Sequence, residues 1–578
     1  MKEILINRGV RCIQTSYGAK KIALWKRSPT KPRVEIKEIL VSKWCSLLVQ
    51  LFLWATNAIK KSVLTSFLLV LPTFCFGTSL ETGTSKDLEH KIVTLLFTND
   101  LESTYDPVEA FWRDDIEQIG GIAQLATLID NKRKSETNVF LFDAGDIFTG
   151  VLAKLTKGEI SFELMNTIGY DAMTIGNHEF EFGWKELAKQ KSRVAFPVLS
   201  ANLFYKGTDI PFAQPYCIIE RSGIRIGVIG VLGQDAATAL NPPNIAGLDV
   251  HDPKEVVSEL VQKLRPDVDL IVVLTHQGKT APMQTDDEAH PEIHRGIDAE
   301  IELAGAVEGI DVIFSGHADA GTEEPFVHPI NGTLIMQTYG QGFHLGYLQL
   351  KIEKESKNIS EHIGYLIPVD SQSLKPHKGV VAKLEKYRAR HSEIYEVIGR
   401  TSARLSRAYN RESDLGNLFA DLHRKEGNAQ IGLYPSGGIR RDLDAGDVTI
   451  QELLDVWPFL DTVQTVKISG SLLVEVIEQG LSLDRGIMQV SGIKVSYDLE
   501  RPVGSRVLEI TVGNKPLNNT DFYTLATGSY IVNGGDNYPQ FRDLEMISLG
   551  RPFSEVLLSH FKETDVVSVP ERGRLFSR

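Results

Sequence analysis

Five short apolar runs constrain this 578-residue chain more than anything else in it, because each is closed by a carboxylate, amide or imidazole beside a small residue. Residues 92–99 run into Asp100-Leu101-Glu102, and residues 139–142 into Asp143-Ala144-Gly145-Asp146. Residues 170–175 lead to Gly176-Asn177-His178-Glu179, residues 270–275 to His276-Gln277-Gly278, and residues 312–315 to Gly316-His317-Ala318-Asp319. Near-continuous apolar runs of this length suit strands buried on both faces, as in a sheet covered by helices. In open α/β sheets, ligands bind outside the carboxyl ends of such strands. Alternate residues of an extended segment share a face, so Asp100 with Glu102, and His317 with Asp319, can each serve one site. Singly, these residues have plainer readings: Asp143 as a helix N-cap, Gly145-Asp146 as a turn, His276 and His317 as core or loop histidines. Five tips of one build argue instead for a shared, metal-type site.

The chain is long enough for at least two domains with full cores. Its net charge of −13 gives no general pull toward nucleic acid polymers. That charge is uneven: residues 1–77 carry thirteen Lys/Arg against three Asp/Glu, a net of +10, and the rest carries −23. Two apolar stretches follow within this basic leader, residues 44–58 and 62–77, and neither reaches the ~18–20 residues of a spanning helix. The leader reads as a secretory signal cleaved after Gly77, unusually far from Met1, with translation starting later as one explanation. The alternative is an uncleaved membrane anchor, which would be the chain's one membrane contact. Cys12, Cys45 and Cys75 lie in the leader, so only Cys217 would remain after cleavage, without an internal disulfide partner. Residues 373–400 turn helical and highly charged and read as a linker helix.

In this order, the motifs Asp-x-Glu, Gly-Asp, Gly-Asn-His-Glu, His and Gly-His-x-Asp resemble the signature of the calcineurin-like metallophosphatases. The longer forms at 143–146 and 176–183 resemble the 5′-nucleotidase/UDP-sugar hydrolase branch. So do Ser436-Gly437-Gly438-Ile439-Arg440, Pro458-Phe459-Leu460-Asp461 and Asn533-Gly534-Gly535-Asp536. The resemblance, which covers most of the chain, implies a two-domain α/β (α+β) protein. Its parts would be the leader (1–77), a four-layer α/β/β/α metallophosphatase domain (90–370), the linker helix (371–400) and a mixed α/β substrate-binding domain (401–578).

It also implies chemistry: hydrolysis of nucleotide phosphate esters at a centre of two divalent ions, in a periplasmic or secreted enzyme. By the family pattern Asp143 bridges both ions, and Asn177, His276 and His317 complete one site. The other site becomes Asp100, Glu102, Asp143 and Asp319, with Glu102 and Asp319 standing where the family has His and His or Gln. Oxygen-only ligation shifts the preference from zinc toward Mn, Mg or Ca, while the mixed site suits Zn, Mn or Fe. His178 takes the place of the family's general acid, oriented by Glu181. Arg411 and Arg440 resemble the residues that grip the phosphate, Phe459 and Tyr530 those that sandwich the base, and Asp536 the carboxylate on the ribose hydroxyls. Ser436 stands where the family has Asn. Cyclic-nucleotide or UDP-sugar phosphodiesterase, thiosulfohydrolase and a non-enzymatic metal-bound binding protein remain the alternative readings.

Overall fold

In the computed structural model of the protein, residues 90–110, 112–278, 296–483 and 485–578 are described. The leader, with its signal or anchor readings and its three cysteines, lies outside them. No helix among the described residues is long and apolar enough to cross a membrane.

Two six-stranded sheets face each other in the first domain. One runs in the spatial order Ile359–Pro368, His344–Glu353, His90–Thr98, Val139–Asp143, Ala172–Thr174, Val198–Leu199. The other runs Phe326–Val327, Leu334–Gln337, Val312–His317, Leu270–Gln277, Ile224–Leu232, Tyr216–Arg221. Alternation along each strand decides which core it feeds. Leu270, Val272 and Leu274 meet Val93, Leu95, Phe97, Phe140 and Phe142 between the sheets. Ile271 and Val273 face the helices Pro253–Leu264 and Asp298–Ala306 on the outside. Phe97 and Phe314 stack across the middle with ring centroids 4.1 Å apart, and burying each such ring contributes about 1.5–3 kcal/mol. The outer face of the first sheet is covered by Ile122–Ser135 and Glu159–Ile168. The result is the four-layer α/β/β/α stack that the family resemblance implies.

The strands that matter for a site are parallel: His90–Thr98, Val139–Asp143 and Ala172–Thr174 in one sheet, Leu270–Gln277 and Val312–His317 in the other. Their carboxyl ends therefore open on the same edge of the stack. The helix Lys378–Arg390 follows, burying Val380, Leu384 and Tyr387 against the first domain's helices. The remaining chain builds a five-stranded mixed sheet ordered Met488–Ser491, Ile431–Pro435, Phe522–Gly528, Thr462–Ser469, Met546–Pro552, flanked by helices such as Asp414–Glu426 and Gly470–Gly480. Thr449 and Glu452 close a reciprocal capping box at the start of Ile450–Val456, an arrangement worth about 1 kcal/mol for the cap alone. Cys217 is buried in the inter-sheet core.

Candidate active site

A cleft between the two domains gathers the strand tips of the first and the loops of the second; Asp100, Glu102, Asp146, Asn177, His178, His317 and Asp319 line it on one side. Tight backbone turns aim these side chains. Asp100, Glu102, Asp146, His317 and Asp319 all have positive φ, at 49°, 45°, 62°, 74° and 51°. Each such conformation costs on the order of 1–3 kcal/mol for a non-glycine residue. Their concentration at one place marks strain kept for geometry rather than for packing.

Among the described residues, Asp146, His276 and His317 offer ligand atoms all within 4.8 Å of one another, and all three are buried. His276 Nδ1 bonds the Ala144 carbonyl oxygen at 2.7 Å. That bond turns Nε2 to the centre, 3.0 Å from Asp146 Oδ2 and 3.1 Å from Asn177 Oδ1. A histidine fixed through its outer nitrogen is the usual form of a metal ligand. Burial opposes the charged imidazole of His276, but Asp146 and Asp100 outweigh it and lift its pKa to about 10. The field that attracts a proton there attracts a divalent cation as well. His317 is pushed the other way by burial and the charges of Arg485 and His276, so its ring stays neutral. Two imidazoles, a carboxylate and an amide oxygen fit one divalent ion of the zinc, manganese or iron kind.

Asp143, expected as the bridging ligand, is not among these residues. Its carboxyl is fully buried behind them, accepting from Thr98 Oγ1 at 2.6 Å and from the Gly145 amide at 2.9 Å, and burial drives its pKa well up. Asp146 stands in the central position instead, because Gly145 (φ 93°) reverses the chain after the strand and turns the next residue back to the cleft. Glu179, the residue after His178 in the Gly-Asn-His-Glu motif, makes that turn rigid. Its buried carboxyl accepts from the amides of Asp146 (3.0 Å), Ile147 (2.7 Å) and Gly176 (2.6 Å), tying two strand tips together. Asp146 Oδ1 in turn accepts from the His178 amide at 2.7 Å.

The carboxylates Asp100, Glu102 and Asp319 sit on the adjoining wall. Asp100 accepts from the His317 amide at 2.8 Å and the Asn99 side chain at 2.8 Å, and burial lifts its pKa to about 7. Glu102 is held by Arg440 from the second domain. His178 lies between the two groups: Nδ1 bonds Glu181 at 2.9 Å, and Nε2 faces the cleft 3.7 Å from Glu102 and 3.8 Å from Asp146. Burial lowers its pKa, but Asp146, Glu181 and Glu102 more than compensate and raise it to about 9.

Across the cleft, Phe459 lies nearly parallel to the His178 ring with centroids 6.2 Å apart, and the Arg440 guanidinium stands 6.0 Å from the same phenyl ring. Tyr530 and Asp536 also line the cleft, joined by a 2.7 Å bond from the phenol to the carboxylate. Asp461 braces this corner, accepting from Ser529 Oγ at 2.7 Å and the Tyr530 amide at 2.8 Å. Ser436 lines the cleft with its hydroxyl donated to the Ile487 carbonyl. Arg411, by contrast, is exposed and lies outside this lining: the helix Asp414–Glu426 starts just after it and its carbonyl accepts from the Gln489 side chain at 2.7 Å. The arginines that do line the cleft with Arg440 are Arg407 and Arg485. Neither stands in a recognisable motif, so the sequence offered no signal for them.

The chain matches the Calcineurin-like phosphoesterase family over residues 93–318 and the 5′-nucleotidase, C-terminal domain family over residues 395–543. It is 28% identical to a 5′-nucleotidase of Vibrio cholerae, covering 88% of this chain and 97% of that protein. A 5′-nucleotidase of Vibrio vulnificus is 30% identical, with 78% of this chain and 87% of that protein covered. The crystal structure of a 5′-nucleotidase precursor from Thermus thermophilus superimposes with a TM-score of 0.74 at 26% identity, over 84% of this chain and 99% of that one. With both halves of the fold matched in sequence and in structure, and one cleft between them, the chain belongs to the 5′-nucleotidase family.

Proposed function

We propose that this protein is a metal-dependent phosphohydrolase that removes phosphate from nucleotides, with nucleoside 5′-monophosphates as the substrate class. The observation that carries it is the pairing, in one cleft, of a two-histidine, one-carboxylate centre with Arg440, the rings of Phe459 and Tyr530, and Asp536. Asp146, Asn177, His276 and His317 would hold one ion, and Asp100, Glu102 and Asp319 with Asp146 a second, harder one such as Mn, Mg or Ca. Divalent ions in those places would supply charge neutralisation for the phosphoryl group and activation of a water. The remaining work falls to side chains. His178, fixed by Glu181, holds a proton on Nε2 toward the cleft and gives it to the leaving oxygen. Arg440 offers a planar fork that matches phosphate oxygens once it exchanges Glu102 for substrate. Phe459 and Tyr530 stack on the base, and Asp536 accepts from ribose hydroxyls. The basic, apolar leader supports a periplasmic or secreted location.

A phosphate-release panel of nucleotides against Mn²⁺, Mg²⁺, Zn²⁺ and Ca²⁺ tests this reading. Release from AMP and its relatives, abolished by chelation and restored by metal, is the expected result; no release from any nucleotide with any of these ions overturns it. Phe459→Ala should raise KM for AMP by roughly 10-fold, since stacking on a base is worth about 1–3 kcal/mol. Competitive inhibition by inorganic phosphate, which has no base, should stay unchanged in the same variant.

A further inference from the structure

We propose that Lys154, a residue of the first domain, positions the nucleoside by fixing the ring of Phe459 on the far side of the cleft. The proposal rests on the nucleotide reading, in which Phe459 stacks on the base. Phe459 lies between the helix Ile450–Val456 and the strand Thr462–Ser469, in a stretch that belongs to neither. No helical or ladder bond therefore holds its main chain. Its carbonyl oxygen instead accepts from Lys154 Nζ at 2.7 Å. The ammonium stands 5.6 Å from the centre of the Trp457 ring, which meets the Phe459 ring edge-on with centroids 6.1 Å apart. Lys154 is half-buried. Burial pulls its pKa down to about 8, and the carboxylates of Glu181 and Asp461 help it to keep its charge. Its own helix is firmly seated: Gly150–Thr156 buries Val151 and Leu152 in the same core as Leu454, from the helix that leads into Phe459. A charged donor makes the stronger kind of hydrogen bond. This one crosses the cleft and sets the Phe459 ring against His178, with centroids 6.2 Å apart. A stacking ring on an irregular segment needs such support, since looseness of about 1 Å is enough to lose a binding geometry.

Calorimetric binding of adenosine, and separately of inorganic phosphate, to the manganese-loaded full chain reads the two ends of the site without turnover. Lys154→Met keeps the apolar stem and loses the donor. It is expected to weaken adenosine about 5-fold, part of what stacking on a base is worth, and to leave phosphate within about 2-fold. Lys154→Arg should recover most of the loss, because a guanidinium can still donate to the carbonyl. In Phe459→Ala the carbonyl remains but there is no ring to place, so adding Lys154→Met to that variant should weaken adenosine no further. Equal weakening of adenosine and phosphate in Lys154→Met overturns the assignment and leaves Lys154 as a pin between the domains. Adenosine affinity unchanged in Lys154→Met, additive losses in the double variant, or no adenosine binding by the unsubstituted protein overturns it as well. Adenosine bound as expected, with no phosphate released in the nucleotide panel, would sink the phosphohydrolase reading and leave the role of Lys154 standing.

Discussion

Asp146→Asn should empty the two-histidine centre and abolish turnover, while Asp143→Asn, three residues away, should leave both intact. Asp146 presents one oxygen to His276 at 3.0 Å and the other to the His178 amide at 2.7 Å, so one carboxylate is placed both to hold an ion and to position the neighbouring tip. An amide in its place offers one neutral acceptor and, on the other side, an NH₂ against an N–H. Loss of an outer partner of a metal ligand already weakens affinity 10–100-fold, and loss of the central carboxylate exceeds that. With several kcal/mol of transition-state stabilisation gone, turnover falls by about 10³-fold or more. Asp143 differs in kind. Its carboxyl is driven toward the neutral form by burial, so asparagine is close to an isostere. It keeps an acceptor for the Gly145 amide, and the Thr98 hydroxyl can turn to accept from the new NH₂. Metal content by elemental analysis and phosphate release from AMP decide the matter. Retained metal in Asp146→Asn with loss in Asp143→Asn would restore Asp143 to the centre.

This pair of residues also shows where the sequence is legible and where it stops. The strands were readable because apolar runs with small or polar closures have few other folds open to them, whereas the four-layer stack came from the family resemblance, since buried runs alone fit any sheet covered on both faces. His276, His317, Asn177 and His178 each sit at the strand tip where the runs end, so the count along the chain places them. Asp143 and Asp146 do not yield to that count. Both are aspartates after the same strand, and which one faces the cleft depends on the positive φ of Gly145 and on the Glu179 clamp from the neighbouring tip. The clamp joins residues 33 apart in sequence, which no local pattern reveals. Arg411 and Arg485 give the same lesson. Resemblance to a family position suggested the first, but the helix start beside it leaves it exposed; the second reaches the cleft because the loop before Met488–Ser491 brings it to Asp235 and His317.

Removing the His178 imidazole should separate binding from chemistry. His178→Ala is expected to lower kcat for AMP by about 10²–10⁴-fold, the usual contribution of a positioned general acid. Metal content should stay unchanged, because the hydrogen bond that ties the residue to Asp146 is made by its backbone amide, which alanine keeps. The affinity for inorganic phosphate should change little, since a product without a leaving alkoxide needs no proton from Nε2. Glu181→Gln should cost less than the alanine variant. It keeps an oxygen near Nδ1 at the present 2.9 Å, so the ring is still oriented, but it removes one of the carboxylates that hold the proton on the imidazole. A substrate with a better leaving group, such as a nitrophenyl phosphate, gives the sharpest reading. Protonation matters less when the departing oxygen is already stable as an anion, so the defect of His178→Ala should shrink strongly on that substrate while Asp146→Asn stays inactive on both. Equal loss on the two substrates would remove His178 from the proton-transfer role and leave it as a wall of the cleft stacked against Phe459.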